Sequence, residues 1–87
     1  VSAKLPAVNG KRVISALEKE GWYVKRVRGS HHVLRHPSIP DAIPVPVHGS
    51  RPLKRGTLAS ILHAAGISRD EFAELLRVTA SSPSVAL

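Results

Sequence analysis

Apolar residues recur at two different spacings along this chain, and the change of spacing divides it into elements. Between Gly10 and Glu20, Val13, Ile14 and Leu17 fall on one side of a helix, with Asn9 as N-cap and Gly21 as a left-handed stop. The pattern then turns extended. The runs "WYVKRVR" (Trp22–Arg28) and "HHVLRH" (His31–His36) are rich in β-branched and aromatic residues, and only Gly29 and Ser30 part them, which predicts a tight hairpin. The stretch "HPSIPDA" reads as a proline-punctuated loop. "IPVPVH" (Ile43–His48) reads as a third strand whose prolines suit a sheet edge.

Helical spacing returns in "LKRGTLASILHAAG", where Leu58, Ile61, Leu62 and Ala65 share a face and Gly66 ends the run. Ser68 and Glu71 form a capping-box pattern before Phe72, Leu75 and Leu76, the apolar face of a short last helix. The order is α-β-β-β-α-α. Helices with one apolar stripe must cover one face of the sheet and leave the other to solvent, so the fold class is α+β, a two-layer sandwich. The 87 residues make a single domain, 1–87, with its core over about 9–77 and flexible segments expected at 1–8 and 79–87.

Charge narrows the function. Thirteen Lys and Arg against six Asp and Glu give a net charge of +7, which favours polyanions and makes nucleic acid the leading partner class. No helix joins a basic face to a broad aromatic one, so a membrane surface is not expected as partner. No apolar run approaches the roughly 20 residues of a membrane span, and no signal-peptide pattern opens the chain. The chain also has no cysteine, which removes disulfides and thiolate chemistry and fits a reducing compartment. The expected location is the cytoplasm. No helix-turn-helix spacing is apparent, so direct DNA binding by this chain is not expected.

The five histidines carry the candidate chemistry: His31, His32, His36, His48 and His63. Strand alternation puts His32, Leu34 and His36 on one side and His31, Val33 and Arg35 on the other. Taking Leu34 as the core residue turns His31 and Arg35 outward and tucks His32 under the helices, provided that no bulge at Gly29 shifts the register. Packing and chemistry both stay open as roles for the pair. A metal site is not expected, because adjacent strand residues point opposite ways and no cysteine or spaced carboxylate completes a ligand set.

Three motifs in order, "RGSHHVLRHP", "VPVHG" and "LKRGTLASILHAAGISRDEF", resemble the HicA family of toxin ribonucleases from about Gly10 to Leu76. The resemblance implies a fold similar to a double-stranded-RNA-binding domain with an added short C-terminal helix. It implies an mRNA endoribonuclease that inhibits translation, and a protein antitoxin of the HicB family as partner. In that family the histidine directly after Gly-Ser is tied to toxicity, and that position is His31 here, with His32 the neighbouring alternative.

On this reading His31 moves a proton at the scissile phosphodiester, where the RNA 2′-hydroxyl supplies the nucleophile and no cofactor or metal is needed. Gly29 and Ser30 would present backbone N–H groups and a hydroxyl to phosphate. Lys54 and Arg55 would hold phosphate at a helix start. Arg28 and Arg35, with Lys25 and Arg26, would extend a track for the RNA backbone, while His32 and His48 would border the site. Trp22, Tyr23 and Phe72 are the only aromatics, and Trp22 and Phe72 are assigned to packing, so stacking platforms for bases are scarce. The rival reading is a non-catalytic RNA-binding module of the same fold.

Overall fold

A computed structural model describes residues 5–77, so the mobility expected at 79–87, and the part of that expected at 1–8 that falls on 1–4, lies outside the described residues. The elements are α1 (Gly10–Glu18), β1 (Tyr23–Arg28), β2 (His31–His36), β3 (Ile39–Pro46), α2 (Arg55–Ala65) and α3 (Arg69–Arg77). The strands form one antiparallel sheet in the order β1-β2-β3. This is the α+β order expected, with the added last helix.

Local chemistry sets the helix ends. The Asn9 side chain accepts from the Arg12 N–H at 3.0 Å, which satisfies one of the free donors at the start of α1. Before α3, Ser68 Oγ accepts from the Glu71 N–H at 3.1 Å and Glu71 Oε1 accepts from the Ser68 N–H at 2.8 Å. Gly66 ends α2 in the left-handed region at φ 72°.

The core lies between the helices and one sheet face. Val13, Ala16 and Leu17 of α1, Leu58 and Leu62 of α2 and Phe72 of α3 pack with Leu34, Ile43 and Val45 from the strands, and Trp22 is buried among them. Burying each large apolar side chain contributes about 1.5–3 kcal/mol, so this cluster holds the two layers together. Ahead of α1, Val8 is buried, and its carbonyl accepts from the Leu53 N–H at 2.8 Å.

One boundary differs from expectation. The stretch expected as a loop is a short turn at Pro37 and Ser38 followed by the first half of β3, which runs from Ile39 and ends at Pro46. His36 makes the turn: its Nδ1 accepts from the Ser38 N–H and its Nε2 donates to the Glu20 carbonyl, both at 2.9 Å. Its ring also lies 5.2 Å from that of Trp22. Prolines at 40 and 44 are tolerated because β3 is an edge strand, and its register slips opposite Arg35, where ladder bonds are not required of every residue. His48, expected at the end of the third strand, therefore stands two residues beyond it, in the loop leading to α2.

A second irregularity lies in β1. Val24 pairs with Leu34 and Arg26 with Val33, so Lys25 is an extra residue in the ladder. The bulge is here and not at Gly29. It brings Val24 and Val27, three apart in sequence, to the helix side, and leaves Lys25 and Arg26 with the outward residues.

Candidate functional site

His31 opens β2 directly after the Gly29–Ser30 turn, where Gly29 takes φ 57°. It pairs with Arg28 on one side and Pro46 on the other, and its side chain is exposed on the face no helix covers. His32 points the opposite way. It is half-buried between Val27 and Val45 in the register, and its Nδ1 is sealed with no hydrogen-bond partner among the described residues. Leu34, fully buried, fixes that alternation as expected.

Around His31 the structure gathers Pro46, His48, Arg51, Lys54 and Thr57 into one shallow depression of about 390 Å³. The loop that supplies most of them is pinned along its length. The Val47 N–H donates to the Ser30 carbonyl at 2.6 Å, Arg51 N–H to the His48 carbonyl at 3.1 Å, and Leu53 N–H to the Val8 carbonyl at 2.8 Å. Asn9 and Pro52 add an isolated antiparallel bridge. These ties hold His48, Arg51 and Lys54 beside the strand end that carries His31.

Lys54 is also the N-cap of α2, with no side-chain cap bond and no acidic residue in the first turn. The helix start thus offers unsatisfied N–H groups, a positive dipole end and an ammonium to an anion. Arg55 departs from the rest of the expected set. It lines not that depression but an adjoining one, which shares Pro52 and Leu53 with it and is completed by Leu5, Pro6 and Ala7. Lys54 still has extended backbone at ψ 146° whereas Arg55 is the first helical residue, so the two neighbouring side chains diverge.

The remaining cations of the expected set lie further along the same sheet face. Lys25, Arg26, Arg28 and Arg35 line a groove of about 360 Å³ with Tyr23 and Val33. No acidic side chain lines it, and among the described residues none of these four cations forms an ion pair. The Arg28–His31 pair joins the groove to the histidine depression. Sequence reasoning missed Arg51, Thr57 and Tyr23. Arg51 and Thr57 reach the site only through the pinned loop and the helix start, whereas the pairing of Tyr23 with Arg35 is a consequence of the hairpin register.

Among the described residues no three His, Asp or Glu side chains gather as metal ligands would, and no helix is long and apolar enough to cross a membrane. Fold and site together define a small cationic α+β domain that presents an imidazole among lysine and arginine side chains on an uncovered sheet face. Residues 10–67 match the family model of the HicA toxin of bacterial toxin–antitoxin systems, a span running from the start of α1 to just past α2. The chain belongs to that family, and its role is that of the toxin. Comparison with curated proteins finds no match.

Proposed function

We propose that this toxin is an endoribonuclease that cleaves mRNA without a metal ion, with His31 as its catalytic residue. The observation that supports it best is the placement of an exposed imidazole in one depression with Lys54, Arg51 and a second imidazole, His48, where the end of the strand meets the start of α2. An RNA phosphodiester carries its nucleophile beside it. His31 takes the proton of the 2′-hydroxyl, the 2′-oxygen attacks phosphorus, and the bond to the 5′-oxygen breaks as that oxygen gains a proton. The products are a 2′,3′-cyclic phosphate and a 5′-hydroxyl end. Imidazole suits both directions of transfer because its two forms coexist near neutral pH.

The other groups act on charge and position. Lys54, Arg51 and the N–H groups at the start of α2 meet the negative charge that builds on the phosphoryl oxygens. His48 orients the phosphate or carries the complementary proton. Arg28, Arg35, Lys25 and Arg26 hold the adjoining backbone, and Gly29 leaves the turn open beside it. The partner is an antitoxin of the HicB family whose acidic surface covers this face, and both molecules work in the cytoplasm, where mRNA is found.

The test is RNA cleavage by purified protein in EDTA, comparing the native chain with His31→Ala. Cleavage persists on chelation and falls about 10²–10⁴-fold in the variant, while RNA binding and folding are retained. DNA of the same sequence survives, because it lacks the attacking hydroxyl. Equal cleavage by the native chain and His31→Ala would reduce the site to a binding surface. Loss of native activity in EDTA would overturn the metal-free scheme.

A further inference from the structure

Among the described residues, the one large aromatic side chain on the open face lies in a groove lined by four lysine and arginine side chains. Tyr23 is 47% exposed, pairs with Arg35 across the β1–β2 ladder, and lines the groove with Lys25, Arg26, Arg28 and Val33. The other aromatics, Trp22 and Phe72, are buried in the core. The bulge at Lys25 is what concentrates the charge, because it lets consecutive cations flank the groove where strict alternation would have turned one of them away. An exposed ring beside guanidinium groups that form no ion pair among the described residues suits a nucleobase: the ring offers a stacking face and the cations offer phosphate contacts.

Resting on the ribonuclease reading above, we infer that Tyr23 is a base-stacking platform, so that the substrate seated on this face is single-stranded RNA running from His31 toward Arg35. Two features favour a single strand over a duplex. An aromatic ring stacks on a base only where that base is unpaired and splayed from its neighbours, which a helical duplex does not provide. The groove, at about 360 Å³, is the size of a small-ligand cleft and has room for one splayed nucleotide beside the ring. Along β2, His31 and Arg35 are four residues apart, about 13 Å of strand. That spans about four nucleotides at the 3.4 Å duplex rise and fewer in an extended strand. Tyr23 therefore grips a base a short distance from the cleaved bond and sets which nucleotides reach His31.

The experiment measures binding of 2′-O-methyl RNA oligonucleotides, which keep bases and phosphates but lack the attacking hydroxyl, by fluorescence polarisation. Single-stranded and duplex probes of equal length are compared on the native chain, Tyr23→Ala and Tyr23→Phe. The native chain prefers the single strand. Tyr23→Ala weakens that binding on the order of tenfold or more, with the salt dependence of affinity unchanged because no cation is lost, whereas Tyr23→Phe keeps native affinity. Duplex affinity is the same for all three. The inference is overturned if Tyr23→Ala binds the single strand as the native chain does, including when it loses only antitoxin affinity, since the groove would then be a protein-docking surface. It is also overturned if single strand and duplex lose affinity equally. Cleavage does not enter this readout. Should the binding pattern hold while His31→Ala still cleaves RNA, the platform stands and the catalytic assignment falls.

Discussion

The same substitution, glycine to alanine, should have opposite effects at two helix starts in this protein. Gly10 is the first residue of α1 and is buried where the helix meets the end of β3. A Cβ built there lies 2.9 Å from Val47 Cγ2 and 3.1 Å from the Pro46 carbonyl carbon, with the Pro46 oxygen nearer still. The obstacle is backbone, so no rotamer change relieves it and α1 must move off the sheet. Overpacking of this kind costs about 1–3 kcal/mol, from which the helix-propensity gain of alanine over glycine, about 0.5–1 kcal/mol at most, is subtracted. Gly56 lies in the first turn of α2 with nothing within 4 Å of an added Cβ, so there the propensity gain of about 0.5–1 kcal/mol stands alone.

For a domain of this size each kcal/mol moves the melting temperature by about 4–8 °C. Gly10→Ala should therefore melt several degrees below the native chain and Gly56→Ala a few degrees above it, a separation on the order of 10 °C. Thermal unfolding followed by far-UV circular dichroism, with urea unfolding as a second measure, reads both. Because Pro46 pairs directly with His31, Gly10→Ala should also lower RNA cleavage at temperatures where it remains folded. A Gly10→Ala protein as stable as the native chain would refute the close packing of α1 on β3. A destabilised Gly56→Ala would refute the open space beside that residue and would mean that glycine is required at the start of α2 for some reason other than space.

Three further outcomes separate the side chains around the site. His32→Leu removes the sealed, unpartnered Nδ1 and should leave stability unchanged or raise it by about 1 kcal/mol, with RNA cleavage retained; a folded His32→Leu protein without activity would move the chemistry from His31 to its neighbour. His36→Ala loses the bonds to Glu20 and Ser38 and the Trp22 contact, and urea unfolding should show a loss of about 2 kcal/mol; an unchanged midpoint would mean that the β2–β3 turn does not depend on that ring. Lys54→Ala should reduce RNA affinity and lower the slope of log affinity against log salt by about one, while Arg55→Ala, in the adjoining depression, has the smaller effect on both. Equal losses from the two would place the RNA elsewhere.

What can be read from the chain without its fold follows the range of the interactions involved. Asn9 capping α1, the reciprocal Ser68–Glu71 bonds and the Gly66 stop are all contacts within four residues, and each stands where the pattern of residue types put it. The outward turn of His31 was legible for a similar reason, since choosing Leu34 as the core residue decides the direction of its neighbours on the same strand. The start of β3 was not, because it depends on His36 reaching back to the Glu20 carbonyl across sixteen positions. The gathering of Arg51 and Thr57 beside His31 likewise depends on the Ser30 and Val8 carbonyls that pin a distant loop.

The Lys25 bulge lies between these cases. Val24 and Val27 are three apart, a spacing that an unbroken strand cannot turn to one face and that one extra residue reconciles. Had that spacing been taken as evidence of a bulge, Lys25 and Arg26 would both have been placed on the open face beforehand, and Tyr23 with them. The two halves of the proposed machinery thus rest on different physics. The position of His31 follows from the alternation of one strand, whereas the cationic groove follows from a defect in the strand beside it. Deleting Lys25, which removes the extra residue and restores strict pairing between β1 and β2, would therefore take one cation from the proposed RNA track while leaving Arg26, Arg28 and the imidazole where they are.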